Sequence, residues 1–281
     1  MTRKELFNQI SEKKSMLCVG LDVDFDKMPA HIQSLANKGE MAFKGRLFRG
    51  KARSILEFNK AIINATAPYC VAYKPNLAFY ESYGLEGLLA LDATVDYIKT
   101  MFPEQFIIAD AKRGDIGNTA AMYAKAFFEK MNFDAVTLAP YMGIDSISPF
   151  LEYKDKWAIV LALTSNKSAT QFQLAQKDGK PLYQSVMEEM MSVSTPDNMM
   201  FVVGATKADK LKEIRSFCPD NFLLVPGVGA QGGSAEEVIA NGSNEFGGLL
   251  INSSRGILYA DSSECFAKKA AEVAAQTCPL K

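Results

Sequence analysis

The chain is 281 residues long and 48% apolar, and its 31 Lys and Arg against 32 Asp and Glu leave a net charge of −1. Nothing in that balance suggests a nucleic-acid surface or a polybasic membrane patch, and no apolar run approaches the roughly 18 residues of a spanning helix. The length has room for one large α/β domain or two small ones.

In chain order, residues 1–10 read as an amphipathic helix rather than as a secretory leader. Residues 16–21 predict a first strand, ending in Asp22. Residues 24–48 are a polar, irregular insertion with room for one short helix. A long amphipathic helix covers 51–67, and a second strand over 69–73 ends in Lys74-Pro75. Residues 84–101 are helical, with Pro103 as a stop. The third strand, 106–109, runs into A-D-A-K-R-G-D-I, and a helix follows over 116–131. The fourth strand is 135–139, followed by a short helix over 144–153, and the fifth is 157–163. Residues 164–180 are polar and without periodicity, too long for an ordinary connection, and read as a lid. A helix over 182–193, strand six over 199–203, a helix over 207–217 and strand seven over 222–225 come next. Then follow P-G-V-G-A-Q-G-G, a helix over 234–241 capped by Ser234, strand eight over 248–251 and a last helix over 261–275.

Strands and helices in strict alternation argue for a parallel sheet, and eight such units match a single-domain (β/α)8 TIM barrel. The two insertions, 24–48 after strand one and 164–180 after strand five, fall on the face where barrel active sites sit. Cys18, Cys70, Cys218, Cys265 and Cys278 form no CxxC and are odd in number, which suits reduced thiols in a cytoplasmic protein. His31 is the only histidine, so a His-ligated zinc site or a Ser-His-Asp triad has little to build on.

The charged residues gather at strand ends. Asp22 closes strand one, Lys74 strand two, and Asp110 and Lys112 strand three, with Asp115 in the following turn. Side by side at the barrel mouth they form either a structural ion-pair network or a site, and a barrel favours the site. Asp115 alone also reads as a helix N-cap. A lysine between two carboxylates keeps its proton, because nearby opposite charges raise its pKa, whereas a Schiff-base lysine needs a lowered one. Lys112 therefore reads as a general acid or as a charge that stabilises an anion. Carboxylates set beside a substrate carboxylate repel it, which suits expulsion of carbon dioxide and protonation of the carbanion left behind.

Two further motifs carry chemistry. Residues 227–233 fit the dinucleotide pattern G-x-G-x-x-G, but they follow strand seven, and the next strand ends in Ser254-Arg255 rather than an acid. In a barrel the loops after strands seven and eight are the usual phosphate site. There backbone N–H groups, the Gln231 amide and the Arg255 guanidinium would hold a dianion; the alternative is two tight turns and a surface cation. Thr164-Ser165-Asn166-Lys167 offers hydroxyl and amide groups for a polar ring edge, or plain turn chemistry. No pyridoxal, thiamine or metal motif is present.

The signature D-A-K-R-G-D-I (110–116) resembles that of the orotidine 5′-phosphate decarboxylase family. The resemblance extends to L-C-V-G-L-D (17–22), Y-K-P-N-L-A-F-Y-E (73–81), L-T-S-N (163–166), P-G-V-G-A-Q-G-G (226–233) and N-S-S-R-G-I (252–257). The A-Y-K-P form of the second block, the arginine after the signature lysine and the length are similar to the bacterial-type (type 2) branch, without the fused phosphoribosyltransferase of UMP synthase. The resemblance implies cofactor-independent conversion of orotidine 5′-phosphate to UMP. It implies Lys112 as proton donor to C6, Asp110 facing the departing carboxylate, and Lys74 and Asp22 at the ribose. Ser165 and Asn166 would lie at the pyrimidine edge, and Gln231, Ser254 and Arg255 at the phosphate. It also implies a homodimer with shared active sites, in which Asp115, Ile116 and Thr119 complete the neighbouring subunit's site. A metal-dependent sugar-phosphate decarboxylase on the same barrel, a Schiff-base aldolase and a non-catalytic phosphate-binding barrel are the competing readings.

Overall fold

Each barrel strand is a short run buried almost throughout, as expected of a parallel sheet covered by helices outside and filled by side chains inside. The computed structural model describes residues 1–228, 234–277 and 280. Its barrel strands are β1 Leu17–Gly20, β2 Ala72–Lys74, β3 Phe106–Arg113, β4 Ala135–Leu138, β5 Trp157–Leu163, β6 Met199–Val203, β7 Phe222–Pro226 and β8 Leu249–Ser253. Neighbours in sequence are neighbours in space, all parallel, and β8 returns to β1 to close the barrel, pairing Leu17 with Ile251. The main helices are α1 Arg3–Lys13 before the barrel, then α2 Gly50–Thr66, α3 Gly84–Met101, α4 Gly117–Lys125, α5 Leu182–Ser192, α6 Ala208–Phe217, α7 Ala235–Gly242 and α8 Phe266–Thr277. Trp157, fully buried, sets its ring edge-on between Phe106 and Phe222 and ties three strands at the core. Met190, Met199 and Met200 are buried core filler. Among the described residues no helix is long and apolar enough to cross a membrane.

The structure departs from the sequence reading in four places. Residues 24–48 are more ordered than expected: after 3₁₀ and α turns they form a hairpin of Met41–Phe43 with Arg46–Phe48. Its tip is Lys44-Gly45 with φ of 48° and 73°; two left-handed residues match the strand twist, and glycine takes the second at no steric cost. Arg46 then pins the hairpin to α3 through Asp92 and Asp96. The 164–180 segment holds a short helix, Ala169–Phe172, and a two-residue ladder of Gln176–Lys177 with Lys180–Pro181. The helix expected over 144–153 is broken into one 3₁₀ turn, Ile144–Ser146, and a short helix, Ser148–Leu151, with a proline at its start. The third strand runs four residues past Ala109, through a bulge.

Where β1 meets β8 the two chains are in tight contact. A Cβ on Gly20 would lie 2.7 Å from Ser254 Cβ and 3.2 Å from Asn252 Oδ1. Gly20→Ala should therefore force this seam apart and destabilise the fold by about 1–3 kcal/mol, read as a lower urea midpoint with an unchanged slope.

Candidate active site

Asp110 lies at the centre of the charged cluster. Its N–H donates to the Pro75 carbonyl at 3.1 Å, so the ends of β2 and β3 are joined at this point. Lys74 Nζ donates to Asp110 Oδ2 at 2.8 Å, and Lys112 Nζ donates to Oδ1. Lys74 is 4% and Asp110 9% exposed, while the Lys112 side chain is half exposed. Within one chain, Asp110 sits between two lysines, and Asp115 of the same chain forms no ion pair with Lys112. Burial alone would push the Asp110 carboxyl up, but the Lys74 and Lys112 ammoniums outweigh it and bring it down to about 2. Burial would likewise push Lys74 down, but the Asp110 and Asp22 carboxylates raise it above its ordinary value.

A bulge brings Lys112 to the cluster. Its φ is +47°, in the left-handed region, and the β3–β4 register shifts between Ala109 and Arg113. Thr137 of β4 supports the bulge. Its Oγ1 accepts from the N–H groups of Ala111 and Lys112, each at 2.9 Å, and lies 3.2 Å from Asp110 Oδ1. A left-handed non-glycine residue costs about 1 kcal/mol or more, and Thr137 helps to hold it in place.

Above this floor lies a cleft of about 190 Å³ lined by Asp22, Lys74, Asn76, Asp110, residues 226–228 and residues 252–255. Asp22 Oδ1, Asn252 Oδ1 and Ser254 Oγ are buried there without a partner among the described residues. Buried polar atoms are rarely left unsatisfied, so the wall suits a polar ligand. Arg255 is exposed at the rim and forms no ion pair among the described residues. Among the same residues, no cluster of three or more His, Cys, Asp or Glu side chains is placed to hold a metal ion.

Residues 15–270 match the model of the orotidine 5′-phosphate decarboxylase / HUMPS family. The chain belongs to that family. Curated relatives named orotidine 5′-phosphate decarboxylase include one from Phocaeicola vulgatus, 53% identical over 98% of this chain and 95% of its own length. Another, from Porphyromonas gingivalis, is 54% identical over 98% of this chain and 94% of its own length. Among solved structures, the Leishmania donovani OMP decarboxylase is 34% identical with a TM-score of 0.77, covering 99% of this chain and 98% of the other. The Plasmodium berghei orotidine 5′-monophosphate decarboxylase is 26% identical with a TM-score of 0.80, covering 98% and 97%.

The residues that the family resemblance singled out divide into two groups. Asp22, Lys74, Asp110, Ser254 and Arg255 line the cleft, with Lys112 bound to its floor. Asp115, Ile116 and Thr119 do not line it. Asp115 Oδ1 accepts from the Ile116 N–H at 2.8 Å, and its carboxylate forms no ion pair among the described residues. The N-cap of α4 is Ile116, so Asp115 is not the capping residue. Ile116 is 46% exposed and Thr119 is exposed. Ser165 and Asn166 also lie outside the cleft lining. The Asn166 amide oxygen accepts from the Thr164 hydroxyl at 2.6 Å, so it takes part in turn chemistry. Gln231 and the glycines at 229, 232 and 233 lie outside the described residues. Thr137 and Asn252 carry site geometry that the sequence reading missed. The only signal was one hydroxyl in Ala-Val-Thr-Leu and one amide in Leu-Leu-Ile-Asn-Ser.

The depressed Asp110 carboxyl has a consequence for acid stability. A folded-state value of about 2 against an ordinary 3.8 contributes stability above pH 3.8 that is lost as pH falls toward 2. The term is on the order of 2 kcal/mol. Urea unfolding of the wild type should weaken by about that amount across this window, and Asp110→Asn should lack this component.

Proposed function

We propose that this chain converts orotidine 5′-phosphate to UMP and carbon dioxide, an enzymatic step of pyrimidine biosynthesis, with Lys112 as the acid. Family membership carries the reaction class. The observation that carries the mechanism is the ionised Asp110 between two lysines at the barrel mouth. Asp110 faces the substrate carboxylate, and their repulsion favours departure of the carboxylate as carbon dioxide. The C6–carboxylate bond breaks and its electron pair stays on C6. The Lys112 ammonium stabilises that developing charge and then delivers its proton to C6. Lys112 regains a proton from solvent, and no cofactor enters the scheme.

Lys74 and Asp22 would hold the ribose hydroxyls. Gln231, Ser254 and Arg255 would hold the phosphate, whose remote binding energy serves the chemical step. Ser165 and Asn166 are assigned to the pyrimidine edge, through a rearrangement of the 164–166 turn on binding. The raised Lys74 pKa argues against a Schiff-base nucleophile, which needs a neutral amine. The working unit in this reading is a homodimer in which Asp115, Ile116 and Thr119 reach the partner's cleft; their position outside their own cleft supports it. Cys18, Cys70, Cys218 and Cys265, all free thiols, suit a reducing cytoplasm.

Adding the purified protein to orotidine 5′-phosphate should abolish the near-ultraviolet orotate absorbance, with or without a chelator. A chelator-sensitive reaction would favour the metal-dependent sugar-phosphate chemistry instead. Lys112→Ala should lower turnover by about 10³-fold or more while UMP binding stays measurable by calorimetry, and substantial residual turnover would refute the assignment. Mixing Lys112→Ala with Asp115→Ala chains should restore roughly a quarter of wild-type activity, because half of randomly exchanged dimers hold one intact site of two. No recovery despite proven exchange would count against shared sites.

A further inference from the structure

The segment leaving β1 carries Asp22 and is held by three phenols from elsewhere in the chain. Tyr80, fully buried, donates to the Leu21 carbonyl at 3.0 Å. Tyr259 accepts from the Asp24 N–H at 2.7 Å and donates to the Asp22 carbonyl at 3.1 Å. Tyr83 accepts from the Phe25 N–H at 2.9 Å. These hydroxyls grip the main chain on both sides of Asp22, yet its Oδ1 is buried and unpartnered among the described residues. The phenols therefore fix the backbone while the carboxylate is left for something else.

Tyr259 differs from the other two because it uses both its donor and its acceptor on this segment. Its ring stacks on Phe58 with centroids 6.1 Å apart and planes 17° apart, and its own N–H donates to the Arg255 carbonyl at 3.1 Å. One residue thus joins the backbone of Asp22 to the backbone of Arg255, from opposite ends of the barrel sequence. We infer that Tyr259 is a positioning residue that holds Asp22 for the sugar hydroxyls of the nucleotide and ties it to the segment bearing Arg255. This rests on the reading of Asp22 as a ribose ligand given above.

A double-mutant cycle read by UMP titration calorimetry tests it. Tyr259→Phe keeps the stack on Phe58 and deletes only the hydroxyl. It should weaken UMP binding about tenfold when Asp22 is present and by less than about twofold when Asp22→Asn is already in place. In turnover, KM should rise more than kcat falls. An equal loss in both backgrounds, or no loss with Asp22 intact, overturns the positioning role. If Asp22→Asn alone leaves UMP affinity unchanged, the ribose assignment falls and the inference falls with it. Should Tyr259→Phe fail to melt as a folded protein, Tyr259→His, which also lacks the phenol that bonds the Asp22 and Asp24 main chain, is carried through the same cycle, and an equal loss with and without Asp22 there overturns the inference.

Discussion

The barrel mouth is built on one buried carboxylate shared by two ammoniums. Lys74, almost without solvent, keeps a charge because Asp110 is 2.8 Å away. Asp110 keeps its own because Lys74 and Lys112 outweigh the penalty of burial. Removing one member would leave a buried charge uncompensated, a loss of several kcal/mol where such pairs are broken. The arrangement therefore needs both strand ends in register. The β2–β3 pairing and the Asp110–Pro75 hydrogen bond supply that register.

The site has a paired floor and an unpaired wall. On the floor, Lys74, Asp110 and Thr137 satisfy one another; on the wall, Asp22, Asn252 and Ser254 each hold a polar atom without a partner among the described residues. A floor already in its charged geometry needs little reorganisation as charge develops on a substrate, the condition under which electrostatic stabilisation is strongest. The wall has the opposite character. Its polar atoms are left unpaired by the described residues, so a ligand that reaches them meets hydrogen-bonding groups that the fold itself does not use.

The barrel is legible in the sequence because eight apolar runs alternate with eight helical patterns, a periodicity that packing requires and cannot disguise. The charges at Asp22, Lys74, Asp110 and Lys112 are legible because each follows an apolar run, at the strand ends where a barrel carries its functional side chains. Their pairing is not. The order Asp-x-Lys suggests a lysine between Asp110 and Asp115, whereas the lysine that completes the cluster, Lys74, is supplied by another strand. The Thr137 support is hidden for a similar reason, since a single threonine in Ala-Val-Thr-Leu looks like ordinary strand composition. The 41–48 hairpin is hidden because its strands are only three residues long, too short for alternation to register, although Lys44-Gly45 is a fair turn signal. The three-phenol grip on the segment after β1 depends on contacts up to 237 residues apart in sequence, beyond the reach of any local pattern.

The left-handed backbone at Lys112 bears on how such a chain drifts. A glycine there would relieve the backbone and leave Thr137 its two N–H donors. It would also remove one of the two ammoniums that hold Asp110 ionised, so the easier backbone is set against a lost charge pair. A chain that drifts toward an easier backbone at this position therefore gives up part of the charge balance on which the barrel mouth depends.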